Sequence, residues 1–168
     1  MRAGIIGIGS FLPEKVVHNN ELEKIVETTN EWIVERTGIQ SRRIAEANIS
    51  SSDLGAEAAR LAIENANLKP EDIDMIISAS SSPDCTFPAT ACIIQDKINA
   101  KNAAAFDIQA ACTGFVYGLV TATQYILSGE CKNVLVVGCE VLSKITDWQD
   151  RNTCILFGDG AGAVVVSN

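Results

Sequence analysis

The sequence predicts an α/β fold built on a mostly parallel sheet. Short aliphatic runs alternate with segments whose apolar residues recur at helical spacing, which is the pattern of strands joined by right-handed crossover helices. The 168 residues suffice for one domain with a full core. Hydrophobic residues make up 47% of the chain and aromatic residues only 5%, so we expect an aliphatic core rich in alanine.

The elements follow in order along the chain. A strand is predicted at residues 2–9, and two short helices at 20–26 and 30–36 are each preceded by a capping Asn or Thr. A longer helix opens at 51–53 and places its apolar residues on one face. The remaining predicted elements are strands at 75–79, 103–108 and 133–138, helices at 89–98 and 113–128, a proline-containing loop at 80–88, and a closing pair of strands at 155–157 and 163–166.

The helix predicted at 113–128 is apolar on nearly every side, and such a helix is normally covered all round. One small domain rarely buries a helix completely. The sequence therefore predicts a sandwich in which more chain, or another subunit, covers this helix. Its apolar residues include Phe115, Val116, Leu119, Val120, Ala122, Tyr125 and Ile126.

Composition excludes several classes of protein. The net charge of −8 argues against a nucleic-acid partner. The six cysteines show no C-x-x-C spacing, and the N-terminus resembles a strand instead of a signal peptide, so we expect reduced thiols in a cytoplasmic protein. His18 is the only histidine, which makes a zinc site unexpected. Charges and turn residues interrupt every long apolar run, so we expect no membrane span.

Two glycine-rich segments fail the tests for nucleotide-binding motifs. The run GIGS at residues 7–10 follows a strand, but Leu12 stands where a dinucleotide fingerprint needs its third glycine, and Pro13 interrupts the expected helix. The segment 158–162 lacks the Lys and Ser or Thr of a phosphate loop. We interpret it as a tight turn between antiparallel strands.

Cys112 is the candidate nucleophile. It follows a strand that ends at Ile108 and precedes an apolar helix, whose first N–H groups and partial positive charge favour a thiolate and an oxyanion. Gly114 would let a substrate or another backbone come close. The alternative is a buried cysteine that acts as a small hydrophobic residue, and the residues alone leave both interpretations open.

Thr28, Trp32 and Arg36 recur at intervals of four, so they share one helix face if the helix extends that far. An aromatic ring beside a guanidinium group can stack on a base and pair with a phosphate. The spacing alone favours the alternative, in which the Trp anchors a core.

Four motifs, in order along the whole chain, carry a family resemblance. They are IGSFLP at 8–13, EWIVERTGI at 31–39, DIQAACTGF at 107–115 and FGDGAGA at 157–163. Together they resemble β-ketoacyl-acyl-carrier-protein synthase III. The resemblance implies a thiolase-like fold, a five-layer α-β-α-β-α sandwich of two similar halves with mixed, mostly parallel sheets. Residues 1–168 resemble the first half, and the catalytic His and Asn of the family come from the second.

The resemblance also implies a reaction. Cys112 attacks the thioester of a short acyl-coenzyme A, which we expect to be acetyl-coenzyme A, and coenzyme A leaves. Malonyl-acyl-carrier protein then loses carbon dioxide, and its carbanion attacks the acyl-enzyme to begin type II fatty-acid synthesis. No cofactor is implied, because the acyl-coenzyme A is a substrate. The expected protein is a cytoplasmic homodimer without nucleic-acid or membrane partners.

The same resemblance assigns further site residues. Trp32 and Arg151 are expected to sandwich the adenine, and Thr28 and Arg36 to make further coenzyme A contacts. These assignments rest on the family pattern and not on the spacing of the residues.

An acyl pocket is expected around Phe87, Leu142 and Phe157, and the family residue at Phe87 reaches across a homodimer interface. A bulky residue there agrees with a short acyl group. Arg42 and Arg43 are candidate acyl-carrier-protein contacts with no more support than ordinary solvated charges.

Two alternatives remain at the level of sequence. One is another thiolase-superfamily condensing enzyme, such as a synthase of secondary metabolism, which the malonyl donor would distinguish. The other is a non-catalytic half-domain that keeps the fold and binds coenzyme A or a partner chain without catalysing a reaction.

Overall fold

The computed structural model describes residues 2–168. The strands are β1 (Gly4–Phe11), β2 (Val16–His18), β3 (Ser41–Arg43), β4 (Met75–Ala79), β5 (Ala104–Ile108), β6 (Asn133–Val141) and β7 (Asp159–Ser167). The helices are α1 (Asn19–Leu22), α2 (Asn30–Thr37), α3 (Ser51–Asn65), α4 (Thr90–Ile98) and α5 (Gly114–Ser128). Short 3-10 turns occupy Pro70–Asp72, Ala111–Thr113 and Leu142–Lys144.

Five strands form one mixed sheet in the order β1-β7-β6-β4-β5. The central strand β4 pairs in parallel with both β5 and β6, whereas β7 is antiparallel to β6 and to β1. The carboxyl ends of β4, β5 and β6 therefore meet at one edge of the sheet, where β7 begins. This arrangement confirms the α/β prediction.

The core divides into two apolar layers, one on each face of the sheet. Helices α3 and α4 cover one face, against a cluster that includes Leu54, Ala58, Ile76, Ile94, Leu135, Val137 and Val165. Helix α5 covers part of the other face, against Ile77, Val134, Val136, Val164 and Val166. A smaller third cluster joins Leu22, Ile33, Cys154 and Ile155 beside the sheet. Each side of the sheet is thus apolar, as buried parallel strands require.

Two glycines of β1 allow helix α3 to lie directly on the sheet. A Cβ atom at Gly9 would stand 2.2 Å from the carbonyl oxygen of Ala58, and one at Gly7 would stand 2.2 Å from that of Ala62. These obstacles are backbone atoms, which cannot rotate away. Gly7 and Gly9, which look like part of a nucleotide-binding motif, therefore serve the packing of the strand against the helix.

The outer face of α5 is open. Val116, Tyr117 and Val120 are each more than half exposed, and Ile8 of β1 on the same side of the sheet is 64% exposed. Ile8 pairs with Val164, which belongs to the cluster under α5. Residues 2–168 cover only the inner side of this helix.

Several sequence predictions were wrong in detail. Residues 155–157 form no strand: Ile155 and Leu156 lie in a turn, where Ile155 packs beside the sheet in the third cluster while Leu156 and Phe157 are exposed. The segment 158–162 is not a tight turn, since β7 already begins at Asp159 and pairs with β6 and β1. Helix α1 ends at Leu22, and the two-stranded sheet of β2 and β3 was not predicted.

Two negative findings apply to residues 2–168. No helix there is long and apolar enough to cross a membrane. The side chains in that range also form no group of three or more His, Cys, Asp or Glu that could hold a metal ion.

We predict that Gly9→Ala lowers the free energy of unfolding by about 3 kcal/mol, because the new methyl group forces α3 away from β1. Gly4→Ala in the same strand is the matched control, since nothing lies within 4 Å of a Cβ atom there. Urea denaturation followed by circular dichroism measures both. Equal stability of the two variants would contradict the packing described here.

Candidate active site

Cys112 lies in the 3-10 turn that joins β5 to α5, and it is exposed. The preceding residue, Ala111, has φ of 47°, a left-handed conformation that is strained for a residue with a Cβ atom. The neighbouring Thr113 hydroxyl donates a hydrogen bond of 2.7 Å to the carbonyl of Ala110, which closes the turn. A strained backbone at Ala111 thus places Cys112 at the start of a helix.

Gly114 allows α5 to pack closely against the sheet. It is buried, and a Cβ atom there would stand 3.2 Å from the Cβ atom of Ala79 in β4. The first turn of α5 can therefore lie close to the central strand. The nearest backbone atom, the carbonyl oxygen of Ile108, would stand 3.6 Å away, which is an ordinary contact, so the expected close approach of another backbone is not found there.

The four residues predicted for acyl transfer are carried to one edge of the sheet by the strand order. Cys112 follows β5, Leu142 directly follows β6, and Phe87 lies in the loop after β4. Phe157 precedes β7, which runs in the opposite direction and begins at this edge. Ligands of α/β sheets bind at the carboxyl ends of the parallel strands, so this edge is the candidate active site.

The loop that carries Phe87 is held by hydrogen bonds at residues 81–84, and the Phe87 side chain projects into solvent. The carboxylate of Glu140 in β6 accepts a hydrogen bond of 2.7 Å from the amide of Ser81 and one of 2.5 Å from the hydroxyl of Ser82. Asp84 accepts a bond of 2.9 Å from the amide of Ser52 in the first turn of α3. Phe87 itself is 84% exposed. The loop thus holds a large apolar side chain that residues 2–168 leave uncovered.

The other cysteines contrast with Cys112. Cys139 of β6 is buried, and burial raises the pKa of its thiol to about 12. Burial also raises the pKa of Cys131 and of Cys154. Cys85, in the Phe87 loop, is the other exposed thiol among residues 2–168. The three buried thiols are therefore poor nucleophiles.

A second group of predicted residues comes together around Trp32. Helix α2 begins after Thr29, whose hydroxyl accepts a hydrogen bond of 3.1 Å from the amide of Trp32. The guanidinium carbon of Arg36 lies 4.3 Å from the centre of the Trp32 ring, and that of Arg151 lies 4.5 Å from it. Both distances are those of cation–π contacts. The contact between Trp32 and Arg151 joins segments that are far apart in sequence.

Thr28 lies before α2 and not on it, so the four-residue spacing does not place it on the helix face. Its hydroxyl oxygen is buried and finds no hydrogen-bond partner among the described residues. Buried hydroxyl groups are normally hydrogen-bonded, so this oxygen is an exception among the described residues. Arg151 donates a bond of 3.1 Å to the carbonyl of the adjacent Glu27, which holds it beside the same segment. With Arg151 against the ring, a planar base enters only if that side chain withdraws.

Arg42 is not a solvated charge, contrary to the expectation from sequence. It is 7% exposed and donates hydrogen bonds to the carbonyls of Val17 and Ile155 and to the side-chain oxygen of Asn19. Burial lowers the pKa of its guanidinium group. Sequence reasoning missed Asn19 and Arg42 as buried polar residues beside the site, and no local pattern signals their contacts.

A buried carboxylate fixes the start of β7 against the small sheet. Asp159 accepts hydrogen bonds from the amide of Ala45 at 2.7 Å, from the amide of Ser143 at 2.9 Å and from the hydroxyl of Ser143 at 2.6 Å. At Gly158, a Cβ atom would stand 2.9 Å from the Cβ atom of Arg42. The glycine-rich motif therefore locks together the segments that carry Phe157 and Leu142.

A cleft of about 750 Å³ lies elsewhere, beside α3, and its wall includes Phe11, Ile49 and Leu54. None of the site residues predicted from the sequence lines it. The candidate site is instead an open surface at the sheet edge, next to the uncovered face of α5.

The chain is similar to one family of proteins throughout. Residues 106–168 match the family model of 3-oxoacyl-[acyl-carrier-protein] synthase III. The beta-ketoacyl-[acyl-carrier-protein] synthase III of Caldanaerobacter subterraneus subsp. tengcongensis is 60% identical over 98% of this chain and 50% of its own length. That of Clostridium acetobutylicum is 62% identical over 96% of this chain and 50% of its own. The chain thus spans about half the length of the curated relatives it matches.

Solved structures agree on the fold. The crystal structure of 3-oxoacyl-[acyl-carrier-protein] synthase III from Aquifex aeolicus superposes with a TM-score of 0.96 at 52% identity, over 99% of this chain and 54% of the other. The priming β-ketosynthase of the R1128 polyketide pathway superposes with a TM-score of 0.96 at 38% identity, over 99% of this chain and 50% of the other. The thiolase-like fold predicted from the resemblance is confirmed.

We predict that iodoacetamide at about pH 8 labels Cys112 and Cys85 in the native protein and leaves Cys139 and Cys154 unmodified, because a buried thiol with a raised pKa supplies almost no accessible thiolate. Peptide mass spectrometry of native and urea-unfolded samples measures the labelling, and the unfolded sample is the control for reactivity. Native labelling of Cys139 as fast as Cys112 would contradict the burial described.

Proposed function

Because the chain belongs to the β-ketoacyl-acyl-carrier-protein synthase III family, we propose that the complete protein condenses a short acyl-coenzyme A with malonyl-acyl-carrier protein. The acyl group is held on Cys112 between the two halves of the reaction. The observation that carries the proposal is the position of this exposed cysteine, on a strained turn at the carboxyl edge of the parallel strands.

The chemistry needs an accessible sulfur and a place for the acyl chain. The Cys112 sulfur attacks the thioester carbonyl, the carbon–sulfur bond to coenzyme A breaks, and coenzyme A leaves as the thiol. The first N–H groups of a helix lack partners within the helix, so those at the start of α5 suit the oxyanion that forms. Leu142 begins the segment between β6 and β7, Phe157 lies next to its last residue, and we assign both to the acyl pocket at this edge.

We place the nucleotide of coenzyme A at Trp32. The ring offers a stacking surface, and Arg36 and Arg151 bring two positive charges to it in a chain of net charge −8. Thr28 lies beside them, and its hydroxyl, buried without a partner, can bond the nucleotide once that side chain rotates. Base stacking together with cationic pairing suits an adenine nucleotide.

The second half-reaction needs groups that residues 1–168 do not supply. Decarboxylation of the malonyl donor requires stabilisation of an enolate, which the family achieves with a His and an Asn. His18, the only histidine of this sequence, is exposed at the start of α1 and is no substitute. We assign residues 1–168 to the first of two thiolase-like halves, with the second half covering the open face of α5 and completing the site.

We further propose that the enzyme is a cytoplasmic homodimer. Phe87 supports the dimer, because its anchored loop holds an apolar side chain that is 84% exposed in one copy of the chain. Such a side chain is suited to the acyl pocket of a partner subunit. No cofactor takes part in this scheme, in which acyl-coenzyme A and malonyl-acyl-carrier protein are the two substrates.

We predict that Cys112→Ser in the complete protein slows the release of coenzyme A from acetyl-coenzyme A by at least about a thousandfold, because the acyl acceptor is lost. Cys85→Ser removes the other exposed thiol and is the matched control, with unchanged release expected. A thiol-specific reagent measures the coenzyme A. Continued release by Cys112→Ser would show that another group is the nucleophile.

We predict that Trp32→Ala raises the dissociation constant for coenzyme A at least about fivefold, since a stacking and cation–π surface contributes about 1 kcal/mol. Isothermal titration calorimetry measures the affinity. Trp148→Phe changes the neighbouring tryptophan of the third cluster and should leave the affinity within about twofold, as expected for a conservative packing change. An unchanged affinity in Trp32→Ala would restore the interpretation of Trp32 as a core anchor.

A further inference from the structure

Arg42 is a buried cation whose partners are all neutral. Its hydrogen-bond acceptors among the described residues are the carbonyl of Val17 at 3.3 Å, the side-chain oxygen of Asn19 at 3.0 Å and the carbonyl of Ile155 at 3.2 Å. Its Nε atom is buried without a partner. Burying a charge whose hydrogen-bond partners are all neutral costs free energy, and the Glu21 carboxylate, which is not bonded to it, offsets only part of that cost. An apolar residue would fill this place at lower cost. Stability alone therefore does not explain an arginine here.

Asn19 extends the hydrogen bonds of Arg42 into a continuous network. This residue is 1% exposed, and its amide nitrogen donates bonds of 3.1 Å to the side-chain oxygen of Asn30 and 2.7 Å to the carbonyl of Ile39. Asn30 is the first residue of α2. The network therefore connects the start and the end of α2, through Asn19 and Arg42, to the main chain at Ile155.

The network joins the two segments whose side chains meet at Trp32. Helix α2 bears Trp32 and Arg36, and Arg151 lies four residues before Ile155. Apolar contact between Ile33 and Ile155 in the third cluster joins the same segments, but such contact fixes no direction. Hydrogen bonds require both distance and angle, so the network defines how the two segments are placed.

We propose that Arg42 and Asn19 are positioning residues of the nucleotide site, which hold α2 and the segment of Arg151 at the placement that lets Trp32 and Arg151 take a base. The inference rests on the proposed function, because the base is that of the acyl-coenzyme A. Neither side chain contacts the substrate. Their effect is confined to donors that carry the nucleotide.

A truncated donor separates positioning from stability. S-Acetyl-N-acetylcysteamine has the thioester and part of the pantetheine arm but no nucleotide, so it reaches Cys112 without using Trp32. A variant that merely weakens the fold affects acetylation by both donors. A variant that misplaces the nucleotide site affects acetyl-coenzyme A alone.

In the complete protein, Arg42→Gln should raise the KM for acetyl-coenzyme A at least about fivefold and leave kcat within about twofold. Acetylation of Cys112 by S-acetyl-N-acetylcysteamine should keep its wild-type rate, which also shows that the variant is folded. Asn19→Ala should have the same effect. The double variant should have a KM for acetyl-coenzyme A no higher than that of the more impaired single variant, because both residues act through one network.

Arg60→Gln is the control for removing an arginine, since Arg60 pairs with Glu57 on the exposed side of α3. This variant should leave the acetylation of Cys112 by both donors unchanged. Equal losses with the two donors in Arg42→Gln, or no loss with either, would overturn the positioning role. A wild-type protein that used both donors equally well would instead remove the proposed nucleotide site, and this inference with it.

Discussion

The parallel pairing of β4 with β5 and β6 is the constraint on which the rest of the molecule depends. The last residue of β4, Ala79, stands opposite Ile108 in β5 and Gly138 in β6, so the three strands reach the same edge in register. Cys112 and the Phe87 loop follow directly from that edge. A shift of β4 by one residue would turn the side chains of that strand to the opposite face of the sheet.

Carboxylates hold the irregular segments at this edge, where the sheet's own hydrogen bonds end. Glu140 and Asp84 bind main-chain amides of the Phe87 loop and of α3, and Asp159 binds those of Ala45 and Ser143. Asp107 does the same for the first turn of α4, where it accepts bonds from the amides of Thr90 and Ala91. A charge-assisted bond to a backbone amide is stronger than a neutral one, so these loops are fixed without a large core of their own.

Much of the fold could be predicted from local pattern, because strands such as β4 and helices such as α5 carry their periodicity in a few consecutive residues. The wrong predictions concern residues whose structure depends on contacts with residues far away in the sequence. Residues 155–157 have a strand-like composition, but Ile155 turns its carbonyl to Arg42 and its side chain to the third cluster. The burial of Arg42 depends on partners 23 and 113 residues away, at Asn19 and Ile155. Trp32 and Arg151 were paired by the family resemblance and not by spacing.

The role of Cys112 is tested most directly by the mass of its peptide after the complete protein has been exposed to acetyl-coenzyme A. We expect one acetyl group on this peptide and none on the peptides of the other cysteines. An acetyl group on a different residue, or none on Cys112 in a protein that still releases coenzyme A, would contradict the assignment of Cys112 as the acyl carrier.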